Sequence, residues 1–205
     1  MIYEKGMIEN KNDIKSVCVY CASSDSVDPV YFDAAHALGR QIAVSGMSLV
    51  YGAGSHGLMG ALSDGVKECG GKVIGVIPRF MVERGWARPD LDEMIQVESM
   101  HERKDVMCSI GDAAIALPGG VGTLDEFMDS LSLKKLGLYT KPMVLLNTNG
   151  FFDPLSDFLD NCVRERFMRL EHGQMYQVAE TPEMAIEMIL TQRPWDASMI
   201  ESAVI

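Results

Sequence analysis

At 205 residues and 47% hydrophobic composition, the chain has material for one well-filled core and not for two. Its formal net charge of -11 argues against a nucleic-acid backbone or an anionic membrane as partner, but leaves room for a small anion held by local groups. No apolar run reaches the length of a membrane span, and the five cysteines, an odd number in mostly apolar runs, argue for reduced thiols and a cytoplasmic setting.

Residues 1–15 are polar, lack a signal-peptide core and read as a frayed arm. Residues 16–21 read as a strand that ends in the polar turn Ala22, Ser23, Ser24, Asp25. Cys18 and Cys21 have C-x-x-C spacing, but three residues apart on a strand they face opposite sides, so neither a metal site nor a redox pair is expected. Pro29 suits a first helical turn, and Tyr31, Ala34, Ala35, Leu38, Ile42 and Ala43 recur at helical spacing until Gly46. A second strand, 47–51, runs into Gly52-Ala53-Gly54-Ser55-His56-Gly57, a formal G-x-G-x-x-G between a strand and a helix at 58–68. The acid that a dinucleotide site needs near the end of the next strand (72–77) is missing. The turn therefore reads as a mononucleotide-facing loop, with His56 as a loop hydrogen-bonder.

Residues 80–92 have no clear period and read as a long connection of the kind that often forms a functional flap. After a short strand at 94–97, Ser99 and Glu102 predict a capping box and a helix start. Arg103 and Lys104 then lie about one turn inside that helix. Cations there oppose its dipole at a cost of about 0.3–1 kcal/mol, so they are expected to face an anion.

Residues 113–117 are small or aliphatic and read as a strand buried on both faces. Gly119, Gly120 and Gly122 follow Pro118, then Thr123, Asp125 and Glu126, with helical spacing from 123 to 137. The glycines can take positive φ and leave room for a ligand against bare backbone, and the free N–H groups at the helix start make an anion site suited to phosphate. Glu126 would stand beside that phosphate, with the helix dipole favouring its ionised form. Asp125 is the rival carboxylate; adjacent helix positions point about 100° apart, so only one of the two should face the pocket. A further strand at 142–147, a helix at 153–167, a short strand at 175–178 and a helix from Thr181 to about 190 precede an unpatterned tail at 193–205. The methionines, 15 in all, read as core filler. Alternating strands and helices predict an α/β, Rossmann-like doubly wound parallel sheet with helices on both faces, one domain over 16–192. Ser23, Ser24, Gly52, Gly54, Arg103, Lys104 and the Gly119–Glu126 segment then converge on the carboxyl edge of the sheet as one nucleotide-sized site.

The pieces Cys18–Ser24, Leu49–Gly54, Gly57–Gly60, Val73–Pro78, Met100–Lys104, Pro118–Glu126 and Lys141–Asn147 resemble, in order, the LOG ("Lonely Guy") family of cytokinin riboside 5′-monophosphate phosphoribohydrolases. The resemblance implies hydrolysis of the N-glycosidic bond of a nucleoside 5′-monophosphate such as AMP, a homodimer, and neither cofactor nor metal. It implies catalytic roles for Arg103 and Glu126 and nucleotide binding by Lys104, Gly119, Gly120, Val121, Gly122, Thr123 and Ser132; Ser24, Gly54 and Asp125 complete the candidate set. An older lysine decarboxylase-like label for the family gains little support. The chain departs from the pattern at Ala22 and Ala53, where glycines are usual, at Ser132-Leu133-Lys134-Lys135 in place of Thr-Trp-x-Gln, and at Gly85, where a flap glutamate is common. A non-catalytic nucleotide or cofactor carrier of the same fold is the alternative.

Overall fold

The computed structural model describes residues 12–202, so most of the expected N-terminal arm lies outside the described residues. Where the chain enters, it is tied down. The Asn12 side chain donates to the carbonyls of Ile189 and Gln192, and the Lys15 and Ser16 amides donate to Asp112.

Seven parallel strands form one sheet: β1 (Ser16–Tyr20), β2 (Ser48–Tyr51), β3 (Val73–Pro78), β4 (Glu93–Val97), β5 (Ala113–Ala116), β6 (Met143–Leu146) and β7 (Gln177–Ala179). Their order is β4-β3-β2-β1-β5-β6-β7, with Val17 level with both Leu49 and Ala113. The central strands are near-continuous apolar runs because helices cover both faces. One face carries α1 (Pro29–Val44), α2 (Gly57–Glu68) and α7 (Pro182–Thr191), packed through Leu38, Leu62 and Ile189; the other carries α4 (Met100–Ile110), α5 (Val121–Lys135) and α6 (Asp153–Arg164), packed through Met107, Phe127 and Leu159. A single short turn of helix, α3 (Arg79–Val82), follows β3. Cys18 belongs to the second core and Cys21 packs on the first, as their spacing on a strand requires.

The caps follow their residues. Asp28 accepts from the Val30 amide, Ser99 from Glu102 and Thr181 from Met184. Glu102 departs from the expected box: its carboxylate accepts from the Glu98 amide at 2.7 Å, one residue ahead of the cap. Helix α6 stops short of 167 because Arg166 turns to φ 68. The last strand slides from 175–178 to Gln177–Ala179 because Leu170–Gln174 winds into a 3-10 turn closed by His172 Nδ1, which accepts from the Arg169 amide at 3.0 Å.

The chain works outward from β1 to β4, then returns to place β5 against the other side of β1. That reversal opens a crevice at the carboxyl ends of β1 and β5, where doubly wound sheets bind ligands.

Candidate active site

The crevice holds a cavity of about 710 Å³. Its walls come from four strand ends in spatial order: the β5–α5 turn with Gly120, Gly122 and Thr123; the β1 turn with Ser23, Ser24 and Asp25; the β2–α2 turn with Gly52, Gly54 and His56; and the segment after β3, with Met81 and Trp86. Arg103 and Glu126 line it from α4 and α5.

The α5 junction is bare. Its cap residue, Gly120, has no side chain to satisfy the first amides of the helix, and a methyl at Gly120 or Gly122 would meet nothing within 4 Å. Gly122 and Thr123, in the first turn of the helix, line the cavity, so their N–H groups lie beside it with the helix dipole behind them, while the Val121 side chain lies outside it. The glycines do this without using the positive φ open to them: none of Gly119, Gly120 and Gly122 adopts it. Close approach is the reason for Gly119, where an added Cβ would lie 2.0 Å from Thr123 Oγ1. The positive φ in the glycine turns falls instead on Gly57 (φ 62) and on the fully buried Ala53 (φ 61), which replaces the family glycine. A left-handed conformation costs a residue with a Cβ about 1–2 kcal/mol.

Arg103 and Glu126 form a buried ion pair. Arg103 Nη1 donates to Glu126 Oε1 at 2.9 Å and Nε to the Val76 carbonyl at 3.0 Å, and each side chain is only 10% exposed. An added Cβ at Gly52 would fall 1.9 Å from Arg103 Nη2, so only glycine admits the guanidinium there. Burial pushes the Glu126 carboxyl up to about 7 against the opposing pull of Arg103. The sequence expectation that the helix dipole keeps this acid low is overridden, because desolvation of a carboxylate outweighs a partial charge at the helix end.

Lys104 also faces anions, but they are the chain's own. Its ammonium lies 3.1 Å from Asp125 Oδ1 and 3.4 Å from Asp129 Oδ1. Of the two neighbouring carboxylates, Glu126 therefore faces the cavity and Asp125 the Lys104 pair. Ser132 is exposed and donates to the Met128 carbonyl one turn back, and Val121 is 85% exposed. Lys104, Gly119, Val121, Asp125 and Ser132 are not among the cavity-lining residues, whereas Ser24, Gly54, Gly120, Gly122, Thr123, Arg103 and Glu126 are. Asp25, Met81 and Trp86 line the cavity without having been singled out as site residues. Trp86 is a large apolar side chain inside an unpatterned connection, a signal that was available; Asp25 becomes legible only when β1 and β2 lie side by side. The departure at 132–135 buries Lys134, whose ammonium donates to the Lys141 carbonyl and is pushed down to about 8 by burial.

Fold and cavity together define a doubly wound α/β protein with a nucleotide-sized cleft at its switch point. The family described as "Possible lysine decarboxylase" matches residues 59–189. The chain is 42% identical over 162 residues to the cytokinin riboside 5′-monophosphate phosphoribohydrolase LOG2 of Arabidopsis thaliana, covering 79% of this chain and 76% of that one. It is 36% identical over 190 residues to LOG5 of the same plant and the same name, covering 93% and 83%. Among solved structures, the molybdenum cofactor binding protein from Rippkaea orientalis aligns with a TM-score of 0.64 at 26% identity, over 87% of this chain and 97% of that chain. The molybdenum cofactor carrier protein from Chlamydomonas reinhardtii aligns with a TM-score of 0.66 at 25% identity, over 85% and 94%. The chain belongs to the LOG family.

Proposed function

We propose that the protein hydrolyses the N-glycosidic bond of a nucleoside 5′-monophosphate, AMP or a cytokinin riboside 5′-monophosphate, to free base and ribose 5-phosphate. The observation that carries this reading is the Glu126 carboxylate, paired with Arg103 and opening on the same cavity as the bare first turn of α5. The phosphate binds the amides of Val121, Gly122 and Thr123, which fixes the sugar over Glu126. Departure of the base builds positive charge on the ribose ring; the ionised Glu126 stabilises that charge and accepts a proton from the attacking water. Arg103 keeps the carboxylate aimed, and its Nη2 edge stands against Gly52 at the cavity wall. The names carried by the LOG relatives support the same reaction.

Among the described residues no lysine lines the cavity, which gives no support to a decarboxylase working through a lysine Schiff base. We take the protein as a cytoplasmic homodimer. All five cysteines are free, and apolar side chains stand exposed at the two ends of α5, Val121 at its start and Leu138 just past its last turn. The test is chromatography of free base across a panel of nucleoside monophosphates. The hydrolase releases base from at least one of them and loses this with Glu126→Gln; tight AMP binding with no release over a long incubation establishes the carrier instead.

A further inference from the structure

We propose that His56, held by Asp25, is the acid that protonates the departing base. The inference rests on the hydrolase reading and adds the catalytic group that reading lacks. A purine leaves poorly as an anion, so cleavage at the sugar calls for a proton donor at the base. Of the titratable side chains lining the cavity, Arg103 is committed to Val76 and Glu126, Glu126 receives the proton of water, and burial raises the Cys21 thiol so that it keeps its proton. Asp25 and His56 remain.

Their geometry is that of an oriented imidazole. His56 Nδ1 lies 3.0 Å from Asp25 Oδ2, and Asp25 Oδ1 accepts the Gly57 amide at 2.7 Å. The Gly57 amide foremost, and His56 with it, hold the Asp25 carboxyl below its ordinary range. An ionised carboxylate only accepts, so Nδ1 carries a hydrogen toward it and Nε2 is left as the working nitrogen. The imidazole is 73% exposed and lines the cavity, so it is not spent on packing.

Its position across the sheet is also right. The phosphate junction follows β5, Asp25 follows β1 and His56 follows β2, and these three strands are consecutive neighbours. Two strand spacings place His56 roughly 10 Å from the phosphate junction, at the base end of a mononucleotide. Met81 and Trp86 supply apolar surface for a base at that end. The imidazolium gives its Nε2 proton to a ring nitrogen of the base, and the C1′–N bond breaks with its electron pair leaving on the base. Water adds to C1′ and passes a proton to Glu126. Return of that proton to the imidazole through solvent completes the cycle, with one water consumed.

The test compares AMP with 4-nitrophenyl riboside 5′-phosphate, whose leaving group departs without a proton. His56→Gln lowers kcat on AMP by about 10²-fold or more and leaves kcat on the nitrophenyl substrate within about threefold of wild type. Asp25→Asn gives a smaller loss confined to AMP, and Glu126→Gln abolishes both reactions. Equal losses of His56→Gln on the two substrates, or undiminished turnover of AMP, overturn the assignment while the hydrolase reading stands. A wild type that cleaves neither the nitrophenyl substrate nor any nucleoside monophosphate of the panel overturns both.

Discussion

Two ion pairs join the same two helices one residue apart, and they are not alike. Arg103 and Glu126 are each 10% exposed, whereas Lys104 is 14% exposed against Asp125 at 56% and Asp129 at 35%. The inner pair is costly: a carboxylate is pushed up to about 7 and a guanidinium is given one side-chain acceptor and one carbonyl. The outer pair costs little and holds α4 against α5 in the register that lets the inner pair meet. Electrostatic tension is thus concentrated where bond-breaking is proposed, and the relaxed contact beside it does the aligning.

Breaking the inner pair has the largest effect. Glu126→Gln abolishes base release, a loss of at least about 10³-fold, with the circular dichroism of the wild type retained. Arg103→Ala also abolishes it and lowers stability by about 3–5 kcal/mol in denaturant unfolding, because an uncompensated buried carboxylate is left behind. The double variant Arg103→Met, Glu126→Leu regains stability but not activity, which separates the structural cost from the chemical role.

The pH profile comes next. In the proposed reaction Glu126 acts ionised, so kcat/KM of the wild type is expected to fall about tenfold per unit below an apparent pKa of about 7. For folding the sign is opposite: a carboxyl raised in the folded state contributes stability that is full below its ordinary value and lost as pH rises through about 7. Glu126→Gln, which mimics the protonated acid, lacks this dependence, so the wild type loses melting temperature relative to the variant between about pH 5 and neutrality, and the gap stops growing above it.

The outer pair sharpens the contrast at smaller scale. The Asp125 charge raises Glu126 and the Lys104 charge lowers it. Asp125→Asn accordingly moves the acid limb of the rate profile to lower pH, and Lys104→Met moves it to higher pH. Both change unfolding free energy by no more than about 1 kcal/mol, as partly exposed pairs do. A rise in KM for AMP with Lys104→Met and no shift of the limb would instead give Lys104 the substrate-binding role that the family resemblance implies.

Much of this contrast was open to reading along the chain. The buried strand, the glycine turn and the apolar spacing after Thr123 place the α5 junction, and the Ser99 cap places Arg103 one turn into α4. Helix geometry alone says that Asp125 and Glu126 diverge, but not which turns inward. Arg103 and Glu126 are 23 residues apart, and their contact depends on how α4 and α5 pack on one face of the sheet. Asp25 and His56 are 31 residues apart and meet only because β1 and β2 are neighbours. The rise of the Glu126 carboxyl was not legible at all: local sequence shows a helix start, whereas desolvation is set by everything packed around it. Ala53 shows the converse, a pattern break visible in sequence whose left-handed backbone only the fold reveals.

The most direct measurement is a crystal structure of the Glu126→Gln variant with AMP. In that crystal the phosphate is expected on the amides of Val121, Gly122 and Thr123, the substituted side chain against ribose C1′, and the adenine beside His56 and Trp86. A phosphate bound at Lys104 with the α5 junction empty, or a ribose turned away from position 126, would contradict the proposed reaction.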